Sequence, residues 1–70
     1  MIGALIKEYL TAHGIKQSFL AQQTGLTDQM VSDICNRDRK VDVMENYKIC
    51  KALGVPSDYF IDQVIYKEVN

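Results

Sequence analysis

The chain has little of the chemistry on which covalent frameworks and metal sites depend. Its 70 residues include only two cysteines, Cys35 and Cys50, and a single histidine, His13. Two cysteines are too few for a disulfide framework, and neither has another cysteine or a histidine at metal-ligand spacing. We therefore expect two reduced thiols, no bound metal and no cofactor.

Long apolar runs are missing as well. A membrane-spanning helix needs about 20 consecutive apolar residues, and no stretch of the sequence approaches that length. The one N-terminal candidate for a signal peptide is interrupted by Lys7 and Glu8. These absences predict a cytoplasmic protein that does not bind membranes.

Groups arranged for catalysis are equally scarce. The sequence has no pair of carboxylates in an apolar setting and no glycine-rich phosphate loop, and Ser18 and Ser32 have no base nearby. We expect a binding protein that is not an enzyme and has no small-molecule substrate.

An excess of positive charge is absent too. The formal net charge is −1 and the pI is near 5.6, whereas DNA-binding domains are usually basic. The basic residues are nevertheless unevenly distributed, because Arg37, Arg39 and Lys40 share one short segment with a single acid, Asp38. Such a cluster suits a phosphate backbone, and the alternative is an ordinary solvated loop.

What the sequence does contain is helical periodicity. With 47% hydrophobic residues, one proline and four glycines, it predicts a single compact all-α domain with a small core. Apolar residues recur at helical spacing from Ile2 to Leu10, and His13-Gly14 ends this first helix.

The second half of the chain predicts two further helices. The segment from Asp42 to Glu45 has the shape of a capping box that opens a fourth helix. The predicted buried stripe of this helix is Val43, Tyr47 or Met44, Cys50 and Leu53, with Ile49 alongside. Gly54 ends the fourth helix, and Pro56 lies in the first turn of a fifth. The segment from Val64 to Tyr66 is β-prone or extends that fifth helix.

The most informative feature is a pair of short helices, at about residues 17–24 and 27–35, joined by a tight turn. The residues that carry this pattern are Leu20, Ala21, Gly25, Thr27, Val31 and Ile34. Gly25 can take the positive φ of a sharp reversal, and Ala21 is small enough for two helices that cross steeply. Thr27 can cap the second helix.

This ordered set resembles the Cro/C1-type (XRE-like) helix-turn-helix of phage repressors and small bacterial regulators. The resemblance includes Gln17 and Asn36 at the two ends of the motif, and it continues through Lys48–Phe60, which is similar to the family's last two helices. It implies a compact five-helix, lambda-repressor-like DNA-binding domain over residues 1–62, followed by a C-terminal tail at residues 63–70.

By this resemblance, the second helix of the motif reads base edges in the major groove of DNA. Its groove side lies opposite Val31 and Ile34. The expected base-contacting residues are Thr27, Asp28, Gln29, Ser32 and Asp33. Gln29 suits adenine, because its amide offers a donor and an acceptor. Asp28 and Asp33 can accept from cytosine but repel phosphate, and Asp28 has the alternative role of a helix cap.

Residues beside the motif helices are expected to contact phosphate. This set comprises Lys16, Gln17, Asn36, Arg37, Arg39 and Lys40. Gln17 offers its amide at a helix N-terminus. Lys16 replaces the Ser, Thr or Asn cap common in the family and adds a positive charge. Arg37 replaces the glycine that commonly follows the asparagine, so the exit from the second motif helix should differ in shape.

The C-terminal end is more apolar than the tip of a small monomer can comfortably expose. The residues expected to form a dimer contact are Tyr59, Phe60, Ile61, Val64, Ile65 and Tyr66. The alternative is that these side chains fold back onto the first helix and complete a monomeric core.

These expectations lead to a sequence-specific transcriptional regulator of the phage or mobile-element repressor type. It would bind the inverted-repeat half-sites of double-stranded operator DNA as a homodimer, with its two reading helices one DNA turn apart. The alternative is a helical protein-interaction module, antitoxin- or antirepressor-like, with weak or no DNA binding. Asp28 and Asp33 on the reading face favour that alternative.

Overall fold

Five α-helices build the chain of this computed structural model, which describes the backbone of residues 2–69 and the side chains of residues 2–65. The helices are α1 (Ile2–Ala12), α2 (Gln17–Thr24), α3 (Asp28–Asn36), α4 (Val43–Leu53) and α5 (Tyr59–Val69). Within the described residues there is no strand. The all-α, five-helix fold predicted from the sequence is confirmed.

Helices α2 and α3 form the predicted helix-turn-helix. Gly25 takes a left-handed φ of 78° and donates its N–H to the Ala21 carbonyl, which ends α2. Thr27 caps α3, because its Oγ1 accepts from the Met30 N–H at 3.0 Å. The inward side chains of both helices are buried in one core. The residues of the turn and the pattern of burial therefore both support the predicted helix-turn-helix.

Thr24 ties the turn of the motif together from the inside. Its hydroxyl donates to the Leu20 carbonyl at 2.7 Å and accepts from the Leu26 N–H at 3.3 Å. The side chain is buried, and the two hydrogen bonds satisfy a polar group that would otherwise destabilise the core. These bonds link the last turn of α2 to the turn that leads into α3.

Helix α1 packs against α3 at very short range. Gly3 is buried at this crossing, and a Cβ built on it would overlap the carbonyl oxygen of Ile34. The absence of a side chain at Gly3 therefore sets how closely the back of α3 approaches the rest of the domain.

The capping box predicted for α4 is confirmed. The Glu45 N–H donates to Asp42 Oδ1 at 2.7 Å, and the Asp42 N–H donates to Glu45 Oε1 at 3.1 Å. The first half of the predicted buried stripe is wrong, since Val43, Met44 and Tyr47 are 82%, 62% and 48% exposed.

The buried face of α4 is instead formed by Asn46, Ile49 and Cys50. Asn46 is tolerated in the core because its Nδ2 donates to the Ser57 carbonyl at 2.6 Å, and buried polar groups are stable when they are hydrogen-bonded. The amide thus links α4 to the turn before α5.

Helix α5 starts later than predicted and continues further. Pro56 lies in the preceding turn, where its carbonyl accepts from the Tyr59 N–H at 3.0 Å, so its predicted place in the first helical turn is wrong. Val64 and Ile65 are helical, which decides between the two alternatives for this segment. Because α5 runs to Val69, no break in secondary structure separates residues 62 and 63.

Phe60 anchors α5 to the core. It is 1% exposed, and its ring meets the Tyr9 ring edge-on at 5.9 Å. Val64 also packs against the core. Phe60 is therefore unavailable as a dimer contact, and that part of the prediction is wrong, whereas the alternative of packing on the first helix holds for Phe60 and Val64. The side chain of Tyr66, also in the predicted set, lies outside the described residues.

Among the described residues, no helix combines the length and the apolar character that crossing a membrane requires.

Candidate nucleic-acid interface

The outer face of α3 carries the five residues predicted to contact bases. Thr27, Asp28 and Gln29 are exposed, and Ser32 and Asp33 are half-buried. Gln29, Ser32 and Asp33 lie on the side of α3 away from its buried stripe, which consists of Val31, Ile34 and Cys35. Thr27 and Asp28 lie at the N-terminal end of the helix, where the Thr27 oxygen forms the cap. The predicted base-contacting residues are therefore accessible along the outer face and the N-terminal end of α3.

Side chains on this face are joined in two parallel rows, each following the four-residue repeat of the helix. In the first row, Gln29 Nε2 donates to Asp33 Oδ1 at 2.8 Å, and Arg37 Nε lies 3.8 Å from the same oxygen. In the second row, Asn36 Nδ2 donates to Ser32 Oγ at 3.3 Å. Four of the polar side chains at and beside this face are thus joined to one another by hydrogen bonds, and Arg37 lies beside the first pair.

The start of α2 supplies a second candidate contact. Lys16 occupies the N-cap position without a side-chain cap hydrogen bond, so the first-turn amides lack the partner that a Ser, Thr or Asn would provide. Lys16 is exposed and Gln17 is half-buried. An uncapped helix N-terminus beside a lysine is a favourable place for an anion.

The chain leaves α3 in the altered shape expected from the missing glycine. Arg37 ends the helix with a φ of −124°, and the left-handed residue is Asp38, with a φ of 56°. Aspartate tolerates this region better than most residues that have a Cβ. Arg37 and Lys40 remain exposed on either side of the reversal.

Arg39 differs from its basic neighbours, because its guanidinium is engaged within the chain. Both terminal nitrogens donate to the Glu45 carboxylate at 3.2 Å, and the Glu45 side chain is only 12% exposed. Arg39 therefore ties the loop to the capping box of α4. The pair occupies the edge of the guanidinium that carries both terminal nitrogens, and other N–H groups of Arg39 remain. A phosphate contact by Arg39 would have to compete with Glu45 or use those remaining groups, so Arg39 is a weaker candidate for the predicted contact than Arg37 or Lys40.

Phe19 is a surface residue beside the site that is not among the predicted contacts. It is 46% exposed, and it lines an open hollow between α2 and α3 together with Thr27 and Asp28. The available signal was its position one residue before the buried pair Leu20-Ala21, on the opposite side of a short helix.

The two cysteines lie away from this face, in the core. Burial raises the pKa of both the Cys35 and the Cys50 thiol, so both remain protonated at neutral pH. In the part of the chain that the structure describes, no three side chains of the metal-ligating kinds lie together.

The comparison with known families decides the class. A family model described as helix-turn-helix matches residues 6–60. The chain belongs to the helix-turn-helix family. The match is to its Cro/C1 type and includes α2 and α3 in full. A helix-turn-helix protein of this type is a DNA-binding transcription regulator. A search of curated proteins found no match to this chain.

Proposed function

We propose that this helix-turn-helix protein is a repressor of the phage or mobile-element type that binds operator DNA as a homodimer. The observation that carries the proposal is the accessible polar face of α3, which lies opposite a fully buried stripe. Because the other side of α3 is packed in the core, its polar face can contact base edges without any loss of core packing on binding.

The reading face is assigned to Thr27, Asp28, Gln29, Ser32 and Asp33. Gln29 offers its amide to adenine. Thr27 Oγ1 already accepts from the Met30 amide, which leaves its hydroxyl proton and methyl group for DNA. Asp28 and Asp33 can accept from cytosine N4, and they also keep the face from binding phosphate indiscriminately.

Phosphate contacts are assigned to residues that flank this face at both ends of the motif. The set is Lys16, Gln17, Asn36, Arg37 and Lys40. Lys16 and Gln17 lie at the uncapped start of α2, and the other three lie at the end of α3 or just beyond it. Two clusters on either side of a reading helix match the path of a DNA backbone along the major groove.

Homodimer formation is proposed through α5. Ile61 and Ile65 are 40% and 54% exposed, and they lie four residues apart, so they form one apolar stripe on the helix. A two-fold axis allows one such stripe to serve both subunits. The dimer would place two copies of α3 about 34 Å apart, one turn of DNA.

The salt dependence of DNA binding tests the phosphate assignment. A preferred duplex is first selected from a random DNA pool at stated salt, and affinities are then measured over a range of salt concentrations. We expect Lys40→Ala to reduce the log-log slope by about 0.9, as loss of one phosphate contact does. Lys48→Ala is the matched control, since Lys48 is an exposed lysine of α4 outside the assigned set.

Equal slopes for the parent and both variants would show that the loop after α3 does not touch the backbone. If the parent itself shows no salt-dependent DNA binding, the result would favour the second candidate, a protein-interaction module of the antitoxin or antirepressor kind. The observation in favour of that candidate is the acidic reading face, where Asp28 and Asp33 both lie.

A further inference from the structure

The hydrogen bond between Gln29 and Asp33 constrains the most informative side chain of the reading face. Gln29 Nε2 donates to Asp33 Oδ1 at 2.8 Å, a short distance that is typical of a bond to a charged acceptor. Gln29 is exposed, whereas the Asp33 side chain is 29% exposed and closer to the helix surface. The better-buried partner is therefore the one that orients the other.

The chemistry of the pair leaves only one orientation for the amide. An ionised carboxylate has no hydrogen to donate, so the Gln29 nitrogen must face Asp33 and its Oε1 must point away. One of the two N–H groups of Gln29 is used in this bond. The amide then has one N–H donor and one carbonyl acceptor available for DNA.

This remaining pattern distinguishes the two purines. Adenine presents the N7 acceptor and the N6 donor in the major groove, while guanine presents two acceptors, N7 and O6. An unconstrained glutamine could turn both N–H groups toward guanine. With one N–H held by Asp33, the Gln29 carbonyl oxygen would face guanine O6, and two acceptors repel each other.

We propose that Asp33 is a positioning residue that holds the Gln29 amide for adenine and makes Gln29 reject guanine. The inference rests on the proposed function, because it assumes that α3 reads DNA. The Asp33 Oδ1 that accepts from Gln29 also lies 3.8 Å from Arg37 Nε, so the carboxylate has a partner on each side along the helix.

The test compares four proteins on two duplexes. The duplexes differ in one base pair, A·T or G·C, at the position where Gln29→Ala abolishes discrimination. The parent should prefer A·T by about 5- to 150-fold, the range for one bidentate contact. Asp33→Ala should lose most of this ratio, and Glu8→Ala, which removes the same charge at an exposed position of α1 outside the assigned contacts, should keep it.

Asp33→Ala should also bind both duplexes more tightly, because it removes one negative charge near phosphate. The ratio between duplexes is therefore the readout that separates positioning from charge. If Asp33→Ala keeps the parent's ratio while Gln29→Ala loses it, the role of Asp33 is overturned and the proposed function stands. If the parent binds no duplex in a salt-dependent way, both are overturned.

A second measurement checks the hydrogen bond in the absence of DNA. In the free parent, the Gln29 side-chain amide proton that faces Asp33 should resonate downfield of its position in Asp33→Ala, because a hydrogen bond deshields the proton. Glu8→Ala should leave this signal where it is in the parent. If the Gln29 amide signal is the same in the parent and in Asp33→Ala, the proposal is overturned even if the variants bind DNA differently.

Discussion

Single residues decide the closest approaches in this domain, and Gly3 is the clearest example. We expect Gly3→Ala to lower the free energy of unfolding by about 1 to 3 kcal/mol, the usual cost of inserting a methyl group into a packed site. The reason is the overlap of the new Cβ with the Ile34 carbonyl. Urea denaturation followed by circular dichroism measures the change.

Thr11→Ala is the control for Gly3→Ala. Thr11 is an exposed residue of α1, and substitutions at such positions usually change stability by less than about 0.5 kcal/mol. If the two variants unfold at the same urea concentration, α1 does not pack on α3 as closely as described.

Gly25 is required for a different physical reason. A Cβ at Gly25 would meet no atom within 4 Å, but the backbone φ there is 78°. We expect Gly25→Ala to cost about 1 to 2 kcal/mol through left-handed strain alone. Gly25→Asn should cost less, because asparagine enters this region more readily. Equal losses for the two variants in thermal unfolding would point to a steric cause instead.

At the scale of the helix, α4 is held in place by a buried polar residue as well as by its buried apolar ones. We expect Asn46→Ala to cost about 1 to 3 kcal/mol, because the Ser57 carbonyl loses its hydrogen-bond donor inside the protein. Lys48→Ala, at an exposed position of the same helix, should leave stability nearly unchanged. If Asn46→Ala and Lys48→Ala unfold at the same denaturant concentration, the Asn46 amide does not stabilise the packing of α4.

The rotation of α4 about its own axis explains why some of its apolar residues are exposed although their spacing predicts burial. Val43 and Met44 are good candidates for a buried stripe by periodicity, yet both are exposed. The direction in which the first turn faces depends on how α4 packs on α2, and the spacing of apolar residues within α4 contains no information about that partner. Helix existence was predictable and helix rotation was not.

At the scale of the whole molecule, self-association through α5 is the property to measure. We expect the double variant Ile61→Ser, Ile65→Ser to stay folded and to sediment as a monomer at concentrations where the parent is a dimer. Both side chains are exposed in the single chain, so their replacement removes apolar surface without opening the core. Affinity for a duplex with two half-sites should fall with the loss of the dimer.

Val43→Ser is the matched control for that experiment, because Val43 is an exposed apolar residue on a different helix. It should leave the sedimentation coefficient unchanged. A parent that is monomeric throughout, or a double variant that still forms dimers, would contradict the assignment of α5. Truncation after Ile61 is a poorer test, since it would also remove Val64, which packs against the core.

The sequence by itself determined the features that depend on neighbours along the chain. The turn at Gly25, the cap at Thr27 and the capping box from Asp42 to Glu45 each rest on residues within four positions of one another. Their geometry follows from backbone sterics and local hydrogen bonding. The outer face of α3 was predictable for the same reason, because a helix buried on one side exposes the other.

Tertiary structure decided whatever depends on distant partners. Burial of Phe60 follows from its contact with α1, about fifty residues away along the chain, and the engagement of Arg39 follows from the approach of the loop after α3 to Glu45 in α4. Such contacts depend on how helices cross, and many crossings satisfy the same apolar pattern. The sequence therefore specified the helices and the outer face of α3, while packing decided which charged and aromatic side chains remain exposed.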